Sequence, residues 1–446
     1  MGWMLVALAT LFLQAPGWGQ TPPAPPPATT TPTATSLVTP PLPAGTTPLV
    51  AADHPLSLHE ALALALREQP SVTIANANAQ AAAAQTRQTA AGAKPSVSLS
   101  SSFSHYRPSS GDANSYSTTV SGSQLVYDFG RTATQIRRAK DRQQASEAAY
   151  AQARQDVVDS VKSAYYVLLE DQRLVEVQQR SVTDQQAHLG LAQARFDAGV
   201  APRADVLTAQ SQVSQAQYSL MQALNTAAQA RVSLNLAMGI DVRTPTQVEE
   251  TEEQLPTPTP EALVQEALDN RPEVRQLRAS LLAAEASVKI ARANQLPSLT
   301  AGTSVGVDGT EFPGDSHSWS YGLSLSWDLY DSGLTKGLIA EAEANLVVAQ
   351  ANLKQTELSI GSAVVKAYLD VQSAGQQVVT AEAGVVSADE ALRVATGRYE
   401  AGVAPYLDVT DAETTLITAQ TNQVNAKYGL SLARAALLYA LGREDQ

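Results

Sequence analysis

The stretch VVKAYLD VQSAGQQ VVTAEAG VVSADEA LRVATGR YEAGVAP, running from Val364 to Pro405, decides the fold. Written in sevens, it puts Val364, Val371, Val378, Val385, Leu392 and Tyr399 at one position. Ala367, Ala374, Ala381, Ala388 and Ala395 follow three residues on, which is the seam of a coiled coil. A strict period of seven implies left-handed supercoiling. The same ladder stands 203 positions earlier as Val161, Leu168, Val175, Val182, Leu189 and Phe196, and both ladders end in AGVAP, at Ala198 to Pro202 and Ala401 to Pro405. The chain is therefore a duplication.

No proline falls between Pro108 and Pro202 or between Pro313 and Pro405. Uninterrupted helices over 131–198 and 334–400 would each be about 100 Å long at 1.5 Å per residue. Rods of that length pack along neighbours and leave their other faces wet. Beyond each AGVAP corner a return helix is expected, over 202–238 and 405–441, of about 55 Å. Ahead of each rod stands a short amphipathic helix stopped by proline, LSLHEALALALREQP (Leu56 to Pro70) and TPEALVQEALDNRP (Thr259 to Pro272). A helix of about 33 Å then leads to Pro95 or Pro297. Laid end to end, a return helix and one of these come close to the length of a rod.

Between these helices the period changes from seven to two. Val97, Leu99 and Phe103 alternate with serines, and Trp319, Tyr321, Leu323, Leu325, Trp327 and Leu329 alternate with Ser, Gly and Asp, marking strands over 96–106 and 318–329. Weaker alternation marks 116–129, slipping phase near Gln124, and 298–308. Strands of about ten residues with aromatics near their ends suit the wall of a transmembrane β-barrel. Four strands cannot close a barrel, and an open edge in lipid leaves backbone groups unpaired. Several copies must contribute; two would give eight strands and three twelve, and strand counting leaves both open.

Composition narrows the rest. Much of the 44% hydrophobic content is alanine and only 5% of residues are aromatic, which fits thin walls of closely approaching helices. The net charge of −13 argues against nucleic acid as a partner and for an acidic surface or lumen. With no cysteine there are no disulfides, thiolate metal sites or lipidated cysteine. Residues 1–19 read as a signal peptide, apolar from Trp3 to Leu13 with cleavage expected after Gly19, although the first basic residue is Arg67. A Pro/Thr-rich linker follows over 20–52, then repeats over 53–239 and 259–442 joined by an acidic linker, 240–258, with a short tail at 443–446. The five histidines are scattered, and neither HExxH, GxSxG nor a phosphate loop is present, so no catalytic, cofactor or metal site is expected.

The elements YDFG (Tyr127 to Gly130) and WDLYDSG (Trp327 to Gly333), with the turns RFDAGVAPRADVLTAQ (Arg195 to Gln210) and RYEAGVAPYLDVTDAE (Arg398 to Glu413), resemble those of the TolC-like outer membrane efflux proteins, over roughly 56–442. The resemblance implies a mainly α fold with a small β part, in which long coiled-coil helices form a periplasmic α-barrel continuous with a transmembrane β-barrel of four strands per chain. It implies a homotrimer in outer membrane lipid, serving as the passive exit duct of a tripartite efflux pump or type I secretion system. The partners implied are a periplasmic adaptor and an inner-membrane pump of RND or ABC type.

By the same resemblance Asp408 and Asp411 form a selectivity ring at the entrance, and Tyr399 with Asp205 a latch that holds it shut. The latch arginine is replaced by Ala404, which leaves two alternatives open, a weaker latch or Arg203 standing in. The corner residues Gly199, Val200, Ala201 and Pro202, with Gly402, Val403, Ala404 and Pro405, dock the adaptor. Each also has a plainer reading: acids complement a helix N-terminus, Tyr399 is the last rung of its ladder, and the glycines supply positive φ. A secreted helical filament or adhesin-like subunit is the alternative function, since long Ala, Gln and Ser-rich helices without cysteine suit one.

Overall fold

A computed structural model describes residues 55–107, 113–250, 260–312 and 314–443. The expected signal peptide, the Pro/Thr-rich linker, residues 251–258 of the acidic segment and the last three residues lie outside the described residues. The first repeat contains α1 (Leu58–Glu68), α2 (Pro70–Ala91), β1 (Ser96–Tyr106), β2 (Ala113–Tyr127), α3 (Arg131–Asp197) and α4 (Arg203–Met238). The second contains α5 (Pro260–Asn270), α6 (Pro272–Ala293), β3 (Ser298–Gly309), β4 (Ser316–Ser326), α7 (Leu334–Glu400) and α8 (Tyr406–Ala440). Both rods have 67 residues, about 100 Å each.

Two strands stop earlier than their alternation suggests, β2 at Tyr127 and β4 at Ser326, where β3, the neighbour of both, begins at Ser298. Phe129 and Ser332 have φ of 55°, followed by Gly130 at 82° and Gly333 at 90°, so the chain leaves the extended region before the rod begins. Asp128 and Asp331 then cap the rods, accepting from the backbone N–H of Thr132 and Thr335 at 2.7 Å. Trp327 and Leu329 fall between β4 and this turn, outside the sheet.

The four strands form one antiparallel sheet in chain order, β1-β2-β3-β4. Their register lines side chains into rows. Leu99, Val120, Val305 and Trp319 make one row, and Ser98, Ser121, Ser304 and Ser320 the adjacent row on the opposite face. Hydroxyls pair along the second row, Ser98 to Ser121 at 2.9 Å and Ser304 to Ser320 at 2.8 Å. Aromatic contacts run along the first face, Phe103 against Tyr116 and Trp319 stacked on Tyr321. The phase slip near Gln124 is a register shift between Leu125 and Tyr127. One face is thus apolar and the other lined with hydroxyls, and β1 and β4 are free edges.

The helices form an equally open layer. α3 packs on α2 and α4 and also on α6 and α8, two pairs without substantial contact with each other, so it has neighbours on both flanks. α7 packs on α6 and α8, and on the short α5. Sixteen residues of α3 are buried against five of α7, which shows how little of the second rod one chain covers.

At mid-height Val161, Tyr165, Tyr166 and Leu168 are fully buried with Leu234 and Met238 in the largest core cluster, each contributing about 1.5–3 kcal/mol. The start of the acidic segment straps this core. Leu56 bridges to Val248, the Tyr165 hydroxyl donates to the Glu249 carbonyl at 2.6 Å with the Leu56 carbonyl 2.9 Å from the same oxygen, and Glu250 pairs with Arg173 of α3 and Lys427 of α8. The return helices end on glycines, Gly239 and Gly442, both at φ 74°, which press against the backbones of Gln69 and Arg271. There α2 and α6 begin, so α4 abuts α2 and α8 abuts α6, end to end within each repeat. Among the described residues no helix is long and apolar enough to cross a membrane.

Candidate functional site

The two AGVAP corners repeat each other bond for bond. Ala198, Gly199 and Val200 donate backbone N–H bonds to Ala194, Phe196 and Arg195, at 3.0, 2.8 and 2.9 Å; Ala401, Gly402 and Val403 donate to Gly397, Tyr399 and Arg398, at 3.0, 2.9 and 3.0 Å. This closure needs the left-handed conformation that Gly199 (φ 75°) and Gly402 (φ 74°) adopt without a Cβ penalty. Pro202 and Pro405 follow in extended conformation and set the start of α4 and α8. Val200 and Val403 are exposed at the corners, with Ala201 and Ala404 partly covered behind them.

Where the corners meet, α3, α4, α7 and α8 enclose a small core of Ala192, Ala209, Tyr399, Tyr406 and Val409. Tyr399, 3% exposed, donates its hydroxyl to Asp205 Oδ2 at 3.2 Å, joining the end of α7 to the start of α4. Its ring meets Tyr406 edge-on at 5.3 Å. Burial, then the Asp205 charge, pushes the Tyr399 hydroxyl above its usual range, so it stays protonated as a donor. Burial and the charges of Tyr399, Glu413 and Asp205 push Tyr406 up to about 12.

The guanidinium here is not that of Arg203, which is exposed. It belongs to Arg195, 4.7 Å over the Tyr399 ring and donating to the Glu400 carbonyl at 2.7 Å. Arg195 lies one turn before its own corner, and Phe196 beside it is the ladder residue. The alignment of the two halves places Arg195 against Arg398, but nothing in that pattern says which arginine crosses to the other corner.

Asp408 is half-buried and Asp411 exposed in the first two turns of α8, and neither carboxylate has a hydrogen bond or ion pair among the described residues. Two residues on, Glu413 is 2% exposed, its Oε2 3.5 Å from His188 Nε2 of α3, an ion-pair distance without hydrogen-bond geometry. Burial and the Glu413 charge raise the nearby Asp184 carboxyl, offset in part by His188 and Arg180. Tyr406, Val409, Glu413 and Leu416 are spaced 3, 4 and 3 apart and all are buried. A carboxylate on an apolar seam was the legible signal for this buried acid. Among the described residues no cluster of His, Cys, Asp and Glu could hold a metal.

The family described as outer membrane efflux protein matches residues 61–240 and 263–443. Outer membrane protein OprJ of Pseudomonas aeruginosa is 27% identical over 302 residues, 65% of this chain and 62% of OprJ. The probable efflux pump outer membrane protein TtgC of Pseudomonas putida is 25% identical over 309 residues, 66% of this chain and 62% of TtgC. The chain thus spans about 62% of the length of these curated relatives. Among solved structures, the outer-membrane channel OprN superposes with a TM-score of 0.78 at 22% identity, over 86% of this chain and 89% of OprN. The outer membrane protein VceC of Vibrio cholerae gives 0.78 at 23%, over 86% of this chain and 96% of VceC. At such identities the likeness is one of fold.

Proposed function

The chain belongs to the outer membrane efflux protein family, and from that premise we propose that it is the passive exit duct of a tripartite efflux pump or type I secretion system, built from three copies. Its place is the outer membrane, with the helices reaching into the periplasm. One observation carries the proposal: both layers of the chain are open at matching edges. The outer edges of β1 and β4 are unpaired among the described residues, and α7 exposes Leu358, Val365, Val379 and Val386, a second set of apolar residues at seven-residue positions, broken once at Gln372, beside its ladder. An unpaired strand edge is costly in lipid, and an apolar stripe of this kind is the seam of an absent partner. A next copy offering β1 with α2 and α4 satisfies both edges.

Three copies give twelve strands and a wall of twelve helices; at about 10 Å spacing the bore is roughly 25–30 Å, wide enough for drugs or an unfolded chain. With the apolar sheet face toward lipid, the hydroxyl face lines the water path. The corners lie at the periplasmic end, where Val200 and Val403 with their flanking glycines and prolines dock an adaptor joined to an RND or ABC pump. Three copies of Asp408 and Asp411 ring the constriction and favour cations, while the Tyr399–Asp205 bond, braced by Arg195, holds it narrow. Single-channel recording tests this. The duct gives a small, cation-selective conductance whose selectivity falls in the Asp408→Asn, Asp411→Asn double variant; unaltered selectivity removes the ring, and no conductance removes the duct.

A further inference from the structure

Just below the sheet, α3, α6 and α7 enclose an open cleft of about 460 Å³. Arg138 and Arg142, one turn apart on α3, form one wall, and Asn345 and Glu341 of α7 the other, over a low floor that includes Ser287 of α6. Among the described residues neither arginine has a hydrogen bond or ion pair, and Glu341 pairs with neither. Two unneutralised guanidiniums side by side are unfavourable in an otherwise acidic chain. Burial, then the charge of Arg142, indeed lowers the Arg138 pKa below its ordinary value.

The duplication makes the pair more telling, because the positions 203 residues on are Glu341 and Asn345. The cationic pair belongs to one repeat only, so it is not part of the scaffold that both repeats share. The cleft is also graded along its length. Ile290 and Leu338 line it within about 6 Å of the helix ends at the sheet, whereas Arg138 and Arg142 stand about 10 and 16 Å along α3.

We propose that this cleft binds a phosphate-bearing anion, its phosphoryl oxygens held by the Arg138 and Arg142 guanidiniums. Guanidinium groups match phosphate geometry bidentately, and Ser287 offers a further donor. Two sources share that chemistry: the headgroup of an anionic phospholipid, whose acyl chains would pass Ile290 and Leu338 toward the membrane, and free phosphate.

The detergent-purified protein tests the proposal in two arms. Native mass spectrometry compares retention of phosphatidylglycerol with phosphatidylcholine, and thermal shift measures the response to inorganic phosphate. Each is run on wild type, on Arg138→Gln with Arg142→Gln, and on Arg137→Gln with Lys140→Gln, which removes the same charge from exposed positions at the same height. Selective retention of phosphatidylglycerol, lost at least tenfold in the first variant and kept in the second, identifies a lipid site. A phosphate-dependent shift with the same pattern, without lipid retention, identifies a free-anion site. Equal loss in both variants, or no binding of either probe by a wild type and variants of matching helical content, overturns the proposal. Arg138→Lys, which keeps charge and loses the fork, should weaken binding without abolishing it.

Discussion

The two rods carry one ladder and sit in two environments. α3 is enclosed on both flanks and buries sixteen residues, including Tyr165, Tyr166 and Leu168, whereas α7 buries five. Where α7 exposes Leu358, Val365, Val379 and Val386, the aligned positions of α3 are Gln155, Lys162, Glu176 and Thr183. The corners diverge likewise: Tyr399 is buried and bonded to Asp205, while its counterpart Phe196 is 38% exposed. The duplication supplied two equal scaffolds, and the differences assign one rod to the interior of the chain and the other to its edge.

That contrast can be broken most forcefully on the exposed stripe. Val379→Asp with Val386→Asp should abolish oligomers while leaving helical content intact, because an unpaired charge buried at an interface costs about 3–5 kcal/mol. Size-exclusion chromatography with circular dichroism reads both, and an intact oligomer would mean that the stripe faces water. Next, Leu168→Ala should destabilise by about 2–5 kcal/mol, and the aligned Val371→Ala, only half-buried in one chain, by less. Equal losses on thermal melting would place the rods in like surroundings.

At the corners, Tyr399→Phe should cost about 0.5–1.5 kcal/mol and raise conductance, whereas Phe196→Tyr should change neither; unchanged conductance in the first leaves Tyr399 a packing residue. Arg195→Gln should act in the same direction as Tyr399→Phe, by about 0.5–1 kcal/mol for the lost ring contact, and Arg398→Gln should be silent. The smallest effect is one of pH. A tyrosine whose folded pKa is raised contributes stability that is complete below its ordinary value near 10 and is lost as pH rises through about 12. Wild type should therefore lose corner stability over that interval more steeply than Tyr406→Phe, with tyrosinate absorbance marking the step.

Much of this fold was written in periodicity. The seven-residue ladders, the AGVAP repeats and the two-residue alternation fix the helices, corners and strands, because each reflects the geometry of one element and its immediate neighbours. The duplication and the family membership followed from the same residues, and a filament subunit has no use for the apolar-and-hydroxyl sheet. What local pattern could not supply was long-range choice. Arg195 and Arg398 are equivalent in sequence, yet only Arg195 reaches the opposite corner. Glu413 is one more acid beside Asp408 and Asp411 in the sequence, and only its place on the Tyr406, Val409, Leu416 seam marks it as buried. The alternation of β2 and β4 runs past their last paired residues because pairing stops where their shared neighbour β3 begins, at Ser298 just after Pro297.

The absolute mass of the purified protein in detergent tests the open-edge reading most directly. Light scattering corrected for bound detergent should return three chains, with strand and helix edges closed between copies. A single chain, stable without detergent, would contradict it outright.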